Sequence, residues 1–203
     1  MKTKLLHKIP EALLYSRLLV SVLVIVLSFS KVPSYIIVAL SIYAIVSDVL
    51  DGIIARKLNI STEEMRRLDT KIDTVFWFSC LFYVCINRPL FLKTHLLQLF
   101  ILVFSELLII ALGAIKFQER VSYHTILSKC WALCLLWFFI DLTLHPSAPV
   151  SFAFSFWYGL LVQSEIVLII IIFKQNHTDV PFVWQALRLR KGLSCHRNRL
   201  FNG

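Results

Sequence analysis

The chain has 203 residues, 58% of them hydrophobic and only 16% charged, with a mean hydropathy of +0.77 and a formal net charge of +9. A soluble domain of this size has too little interior to hide so much apolar surface, which excludes an ordinary water-soluble enzyme or binding module. The positive charge invites a nucleic-acid reading, but its distribution along the chain answers that point below.

In chain order, six apolar runs stand out: Ala12–Ser30, Pro33–Leu50, Ile72–Ile86, Leu96–Ile115, Ile126–Leu144 and Val150–Phe173. A spanning helix needs about 20 residues, within a range of about 17–25. Five runs meet this. The third spans only when its polar start near Leu68 belongs to the same helix. The first run follows Lys2, Lys4 and Lys8, as a secretory signal would, but no small-residue cleavage site follows it, so a retained helix is expected. The resulting fold class is all-α: a polytopic membrane protein with six transmembrane helices.

With the N-terminus inside, 18 of the 21 Lys and Arg fall on the inner side, and only Lys31, Arg88 and Lys93 fall outside. This asymmetry predicts that both termini are cytosolic. Residues 1–173 are read as one membrane domain and 174–203 as a basic cytosolic tail. Arg188, Arg190, Lys191, Arg197 and Arg199 follow a membrane span directly, so they suit anionic lipid head groups, and no nucleic-acid partner is expected. Cys130 and Cys134 share a helix face, and packing is the reading preferred over a metal site.

The stretch from Ser47 to Asp73 carries the chemistry. Asp48 and Asp51 close the second run, while Asp69 and Asp73 open the third. On a helix Asp48, Asp51, Gly52 and Ala55 share one stripe, and Asp69 and Asp73 share another. A short connection sets the two helices side by side and aims four carboxylates at one small volume. Any one of them alone reads as a solvated interfacial aspartate. Four together at a membrane boundary repel one another and require protons or cations. An all-oxygen ligand set suits Mg²⁺ or Mn²⁺, and two such ions would clamp a pyrophosphate. A carboxylate left free of metal would serve as a general base for an attacking hydroxyl. Gly52 and Ala55 leave room beside the backbone, and Arg56 suits a phosphate.

This stretch resembles the signature of the CDP-alcohol phosphatidyltransferase family, Asp-x2-Asp-Gly-x2-Ala-Arg-x8-Gly-x3-Asp-x3-Asp. Here it reads Asp48, Asp51, Gly52, Ala55, Arg56, eight residues, Met65, Asp69, Asp73. Ile9-Pro10 and Arg17 match a common opening of the family's first helix. The resemblance covers roughly residues 9–173 and includes the six-helix layout. It implies that Asp48, Asp51 and Asp69 bind two metal ions and that Asp73, the fourth member of the metal cluster, activates the acceptor hydroxyl. It also implies that Gly52, Ala55 and Arg56 line the CDP pocket. Departures are Met65 for the second glycine, Glu11 and Leu14 in the first helix, and Thr70 and Thr74 beside the last two aspartates.

The resemblance further implies an enzyme of phospholipid biosynthesis in the cytoplasmic membrane, with its site facing the cytosol. Its donor would be CDP-diacylglycerol and its acceptor a small alcohol, with CMP released. Glycerol 3-phosphate is the first expectation, as in phosphatidylglycerophosphate synthase-type enzymes, ahead of serine, inositol phosphate or another lipid. The reading is compatible with a homodimer. A non-catalytic CDP-lipid-binding relative is the rival that Met65 raises. A transporter would want charge or broken helices near the bilayer midplane, whereas this cluster lies at one edge.

Weaker signals are Lys116, Arg120, His124 and Lys129, read equally as acceptor-phosphate contacts or as topology markers. Glu106 and Glu165 lie inside apolar runs, with Ser105 and Gln163 nearby as hydrogen-bonding partners.

Overall fold

The computed structural model describes residues 9–58, 60, 62–118, 125–173 and 182–190. Among them the regular structure is helical: α1 (Ile9–Ser28), α2 (Ser34–Lys57), α3 (Glu63–Asn87), α4 (Pro89–Thr94), α5 (Leu96–Phe117), α6 (Ile126–Leu144), α7 (Pro149–Ile172) and α8 (Val183–Arg190). The chain divides into two units, one of Met1–Thr94 with Phe139–Ser147 and one of His95–Phe138 with Ala148–Gly203.

In the first unit α1 packs against both α2 and α3. Its buried side is a single stripe, Pro10, Leu14, Arg17, Val20, Ser21, Val24 and Ser28, at the three- and four-residue spacing of one helix face. The matching stripe on α2 is Ile37, Ser41, Ala44, Ser47, Asp51 and Ala55, and on α3 it includes Ile72, Phe76, Ser79 and Cys80. Small residues recur at these contacts, and small side chains let helix backbones approach where lipid supplies no hydrophobic drive for helix association. Their hydroxyls are satisfied locally: Ser21 donates to the Arg17 carbonyl at 2.9 Å, Ser41 to Ile37 at 2.8 Å and Ser47 to Ala44 at 2.8 Å. The outward sides stay apolar, with Leu19 61% and Val22 50% exposed, as expected of surfaces that lipid covers.

The third apolar run proves to be the second half of a longer helix. α3 runs unbroken for 25 residues from Glu63, so its polar start and its apolar end are one element. Thr62 sets the beginning: its backbone is extended and its hydroxyl accepts the Met65 N–H at 3.2 Å. By length and composition five helices among the described residues are suited to cross a membrane, those of Ile9–Ser28, Ser34–Ala55, Leu96–Phe117, Ile126–Leu144 and Pro149–Ile172, and α3 falls outside this set because of its charged first turns. At the other end of the unit, Arg88 donates through Nε and Nη2 to the carbonyls of Leu142 and Thr143, both at 2.7 Å, and so closes the last turn of α6.

The second unit is joined by polar contacts between helices. Ser105 of α5 donates to the Gln163 side chain of α7, which returns a bond to the Leu102 carbonyl at 3.1 Å. Trp131 of α6 donates to the Ser155 carbonyl at 3.0 Å, and its indole lies 2.8 Å from where a Cβ on Gly159 would stand, so this crossing needs glycine. The tail segment carries structure too: α8 buries Ala186 against Ile109, Ile169, Ile170 and Phe173. Buried Glu165 of α7 accepts the N–H of Val183 at 3.4 Å, a carboxylate at the positive end of α8.

Candidate active site

The site lies where the end of α2 and the start of α3 flank α1. Residues 58–62 connect α2 to α3; the Leu58 N–H bonds to Ile54 and the Ile60 N–H to Ala55, which closes α2 and turns the chain. This connection sets the two aspartate stripes against each other. Asp48, Asp51, Asp69 and Asp73 all converge, as their spacing predicts, and they converge on one side chain.

That side chain is Arg17 of α1, 1% exposed. Its Nη1 contacts Asp48 at 2.6 Å and also Asp73; its Nη2 contacts Asp69 at 2.8 Å and also Asp51. Each nitrogen therefore bridges one carboxylate of α2 and one of α3, and the guanidinium ties three helices at a single point. Arg17 is the member of this cluster that the sequence marks least, as a match to the first-helix opening and an inner positive charge. A charged residue in the middle of an otherwise apolar helix was the signal that could have found it.

Burial grades the four acids. Asp51 is the deepest, with 6% of its side chain exposed, Asp69 and Asp73 are intermediate, and Asp48 is the most open at 36%. One guanidinium cannot neutralise four carboxylates, so the cluster is built to attract further positive charge. Oxygen atoms of Asp48, Asp51 and Asp69 lie within 4.8 Å of one another. An octahedral Mg²⁺ or Mn²⁺ with bonds of about 2.1 Å spans oxygens up to about 4.2 Å apart, so a slight contraction suffices. The donor set is all oxygen, carried on two neighbouring helices, and it fits such an ion.

Gly52 and Ala55 sit on the α2 stripe by register, Gly52 half-buried and Ala55 buried. Arg56 occupies the last turn of α2 and its side chain lies outside the described residues. Met65, which stands at the motif glycine, is the third residue of α3 and is half-buried. Of the basic residues between α5 and α6, Lys116 is engaged elsewhere. Its ammonium donates to the Ile170 carbonyl at 2.7 Å and the Ile171 carbonyl at 3.1 Å, closing α7. Arg120 and His124 lie outside the described residues.

The family model for CDP-alcohol phosphatidyltransferase matches residues 7–175, a span that begins just before α1 and ends just after α7. No curated protein and no solved structure gives a significant match. The tetrad and Arg17 lie within the matched span, and the chain belongs to the CDP-alcohol phosphatidyltransferase family, phosphotransferases of phospholipid biosynthesis that move a phosphatidyl group from a CDP-alcohol to an alcohol acceptor.

Proposed function

We propose that this protein transfers the phosphatidyl group of CDP-diacylglycerol to a small alcohol, glycerol 3-phosphate in the first instance, and releases CMP. The convergence of four carboxylates from two helices on one point supports this reading more than any other observation. Asp48, Asp51 and Asp69 would hold the divalent cations, Mg²⁺ or Mn²⁺, and when bound these would neutralise charge on the pyrophosphate as it is cleaved. Gly52 and Ala55 leave the flank of α2 low enough for a nucleotide, and Arg56 supplies a charge for its phosphate.

Asp73, the last aspartate of the motif, is the carboxylate we assign as the base. It takes the proton of the acceptor hydroxyl as that oxygen attacks the phosphorus bonded to diacylglycerol. The bond from that phosphorus to the bridging pyrophosphate oxygen breaks, and the electron pair leaves with CMP. The product is phosphatidylglycerophosphate when the acceptor is glycerol 3-phosphate.

Residues 1–173 form the membrane domain in this reading, with α3 as a sixth span beside the five apolar helices. In this reading both termini and the site face the cytosol at the cytoplasmic membrane, an orientation that the distribution of Lys and Arg supports. Residues 174–203 form the basic tail, part of which folds back as α8.

Met65 favours a second reading, a relative that binds CDP-lipid without turning it over, because a thioether fills space that glycine leaves open. Purified protein given radiolabelled CDP-diacylglycerol and separate alcohols decides between them. Labelled phosphatidylglycerophosphate in the glycerol 3-phosphate reaction, exceeding product from serine or inositol phosphate, is the expected result. Retention of the CDP-lipid with no product from any alcohol supports the second reading instead.

A further inference from the structure

Arg17 touches all four aspartates, and three of its four ion pairs are to Asp48, Asp51 and Asp69, the trio whose oxygens suit a divalent cation. A guanidinium and a cation that draw on the same carboxylates are like charges competing for the same neutralisation. Arg17 is also incompletely satisfied: its Nε–H is buried and has no acceptor among the described residues. A permanent structural arginine at 1% exposure is expected to use that donor as well.

We propose that Arg17 is the built-in counter-cation of the tetrad, held by the aspartates until divalent cations displace it. This rests on the reading of the tetrad as a divalent-cation site. Before cations bind, the guanidinium offsets the repulsion among the four acids and keeps α2 and α3 fastened to α1. Each aspartate gives Arg17 a single oxygen, so a cation can enter on the other oxygens before the guanidinium lets go. Asp51 and Asp69, holding a cation, would keep the link between α2 and α3 that Arg17 Nη2 makes in its absence. Cation binding is therefore weakened by Arg17 and coupled to a rearrangement at the α1 contact, which makes Arg17 a positioning residue that tunes metal affinity.

Two measurements on the full-length protein in detergent test this, neither of them an activity: Mn²⁺ titration followed by electron paramagnetic resonance, and the melting temperature in EDTA and in saturating Mn²⁺. Arg17→Gln is expected to bind Mn²⁺ at least ~10-fold more tightly than the wild type, since a competing positive charge is gone. In EDTA it is expected to melt about 5 °C or more below the wild type. That gap is expected to close in saturating Mn²⁺. Unchanged or weaker Mn²⁺ binding overturns the proposal, and so does a gap that persists in Mn²⁺, because Arg17 would then be a plain structural tie. Should Arg17→Gln fail to fold in EDTA, Arg17→Lys is read the same way: one ammonium cannot bridge both carboxylate pairs, so tighter Mn²⁺ binding than wild type is expected and unchanged affinity is contrary. Absence of Mn²⁺ binding in wild type and variants alike removes the cation site itself, a separate outcome from the failure of Arg17 alone.

Discussion

Asp73→Asn is expected to lower phosphatidyl transfer by roughly 10²–10⁴-fold, the range that a positioned base contributes, while cation-dependent binding of CDP-diacylglycerol stays near the wild-type level. The amide cannot take up the acceptor proton, but its oxygen still accepts the bond from Arg17 Nη1, so the tie between α1 and α3 is retained. As the base and not a ligand of the cation, Asp73 should matter little to a binding assay. Rate measurements with saturating donor, beside retention of labelled CDP-lipid in Mn²⁺, separate the two roles. Loss of binding in proportion to loss of rate contradicts the assignment of Asp73 as the base.

Asp51→Asn is expected to fail at the earlier step. Asp51 is the most enclosed of the four acids, it shares Arg17 Nη2 with Asp69, and it belongs to the trio. Replacing its carboxylate removes one of three ligands and one negative charge from a buried position. The Mn²⁺ concentration needed to retain CDP-lipid should rise at least about 100-fold, at or beyond the range seen when even supporting residues of metal sites are changed. Transfer at ordinary Mg²⁺ should fall below detection. A Mn²⁺ requirement that stays at the wild-type value in Asp51→Asn means that the trio does not hold the cation.

Much of the fold is legible in the sequence because the physical signals are local. Long apolar runs mark α1, α2, α5, α6 and α7, and the i, i+3 and i, i+4 spacings put Asp48 with Asp51 and Asp69 with Asp73. What escaped depends on contacts between distant segments. The first half of α3 is charged and gives no hydropathy signal; the aspartate spacing reads Asp69 and Asp73 as helical, but the start at Glu63 follows from the Thr62 cap and from packing on α1. α8 is eight residues in a basic tail, too short to hold by propensity alone, and it exists through the burial of Ala186 and the carboxylate of Glu165 at its start. Lys116 reads from the sequence equally as an acceptor-phosphate contact or a topology marker, and the carbonyls left open at the end of α7 take it. Arg17 is the main case, because nothing in its own neighbourhood on the chain says that four aspartates, the nearest 31 residues away, will surround it.

If these aspartates make a cation-dependent site for cleaving a CDP-lipid, release of CMP follows the cation. Purified protein supplied with CDP-diacylglycerol and glycerol 3-phosphate should release CMP in Mg²⁺ or Mn²⁺, stop when EDTA is added and resume when the cation is restored in excess. CMP release that continues unchanged in EDTA contradicts the account.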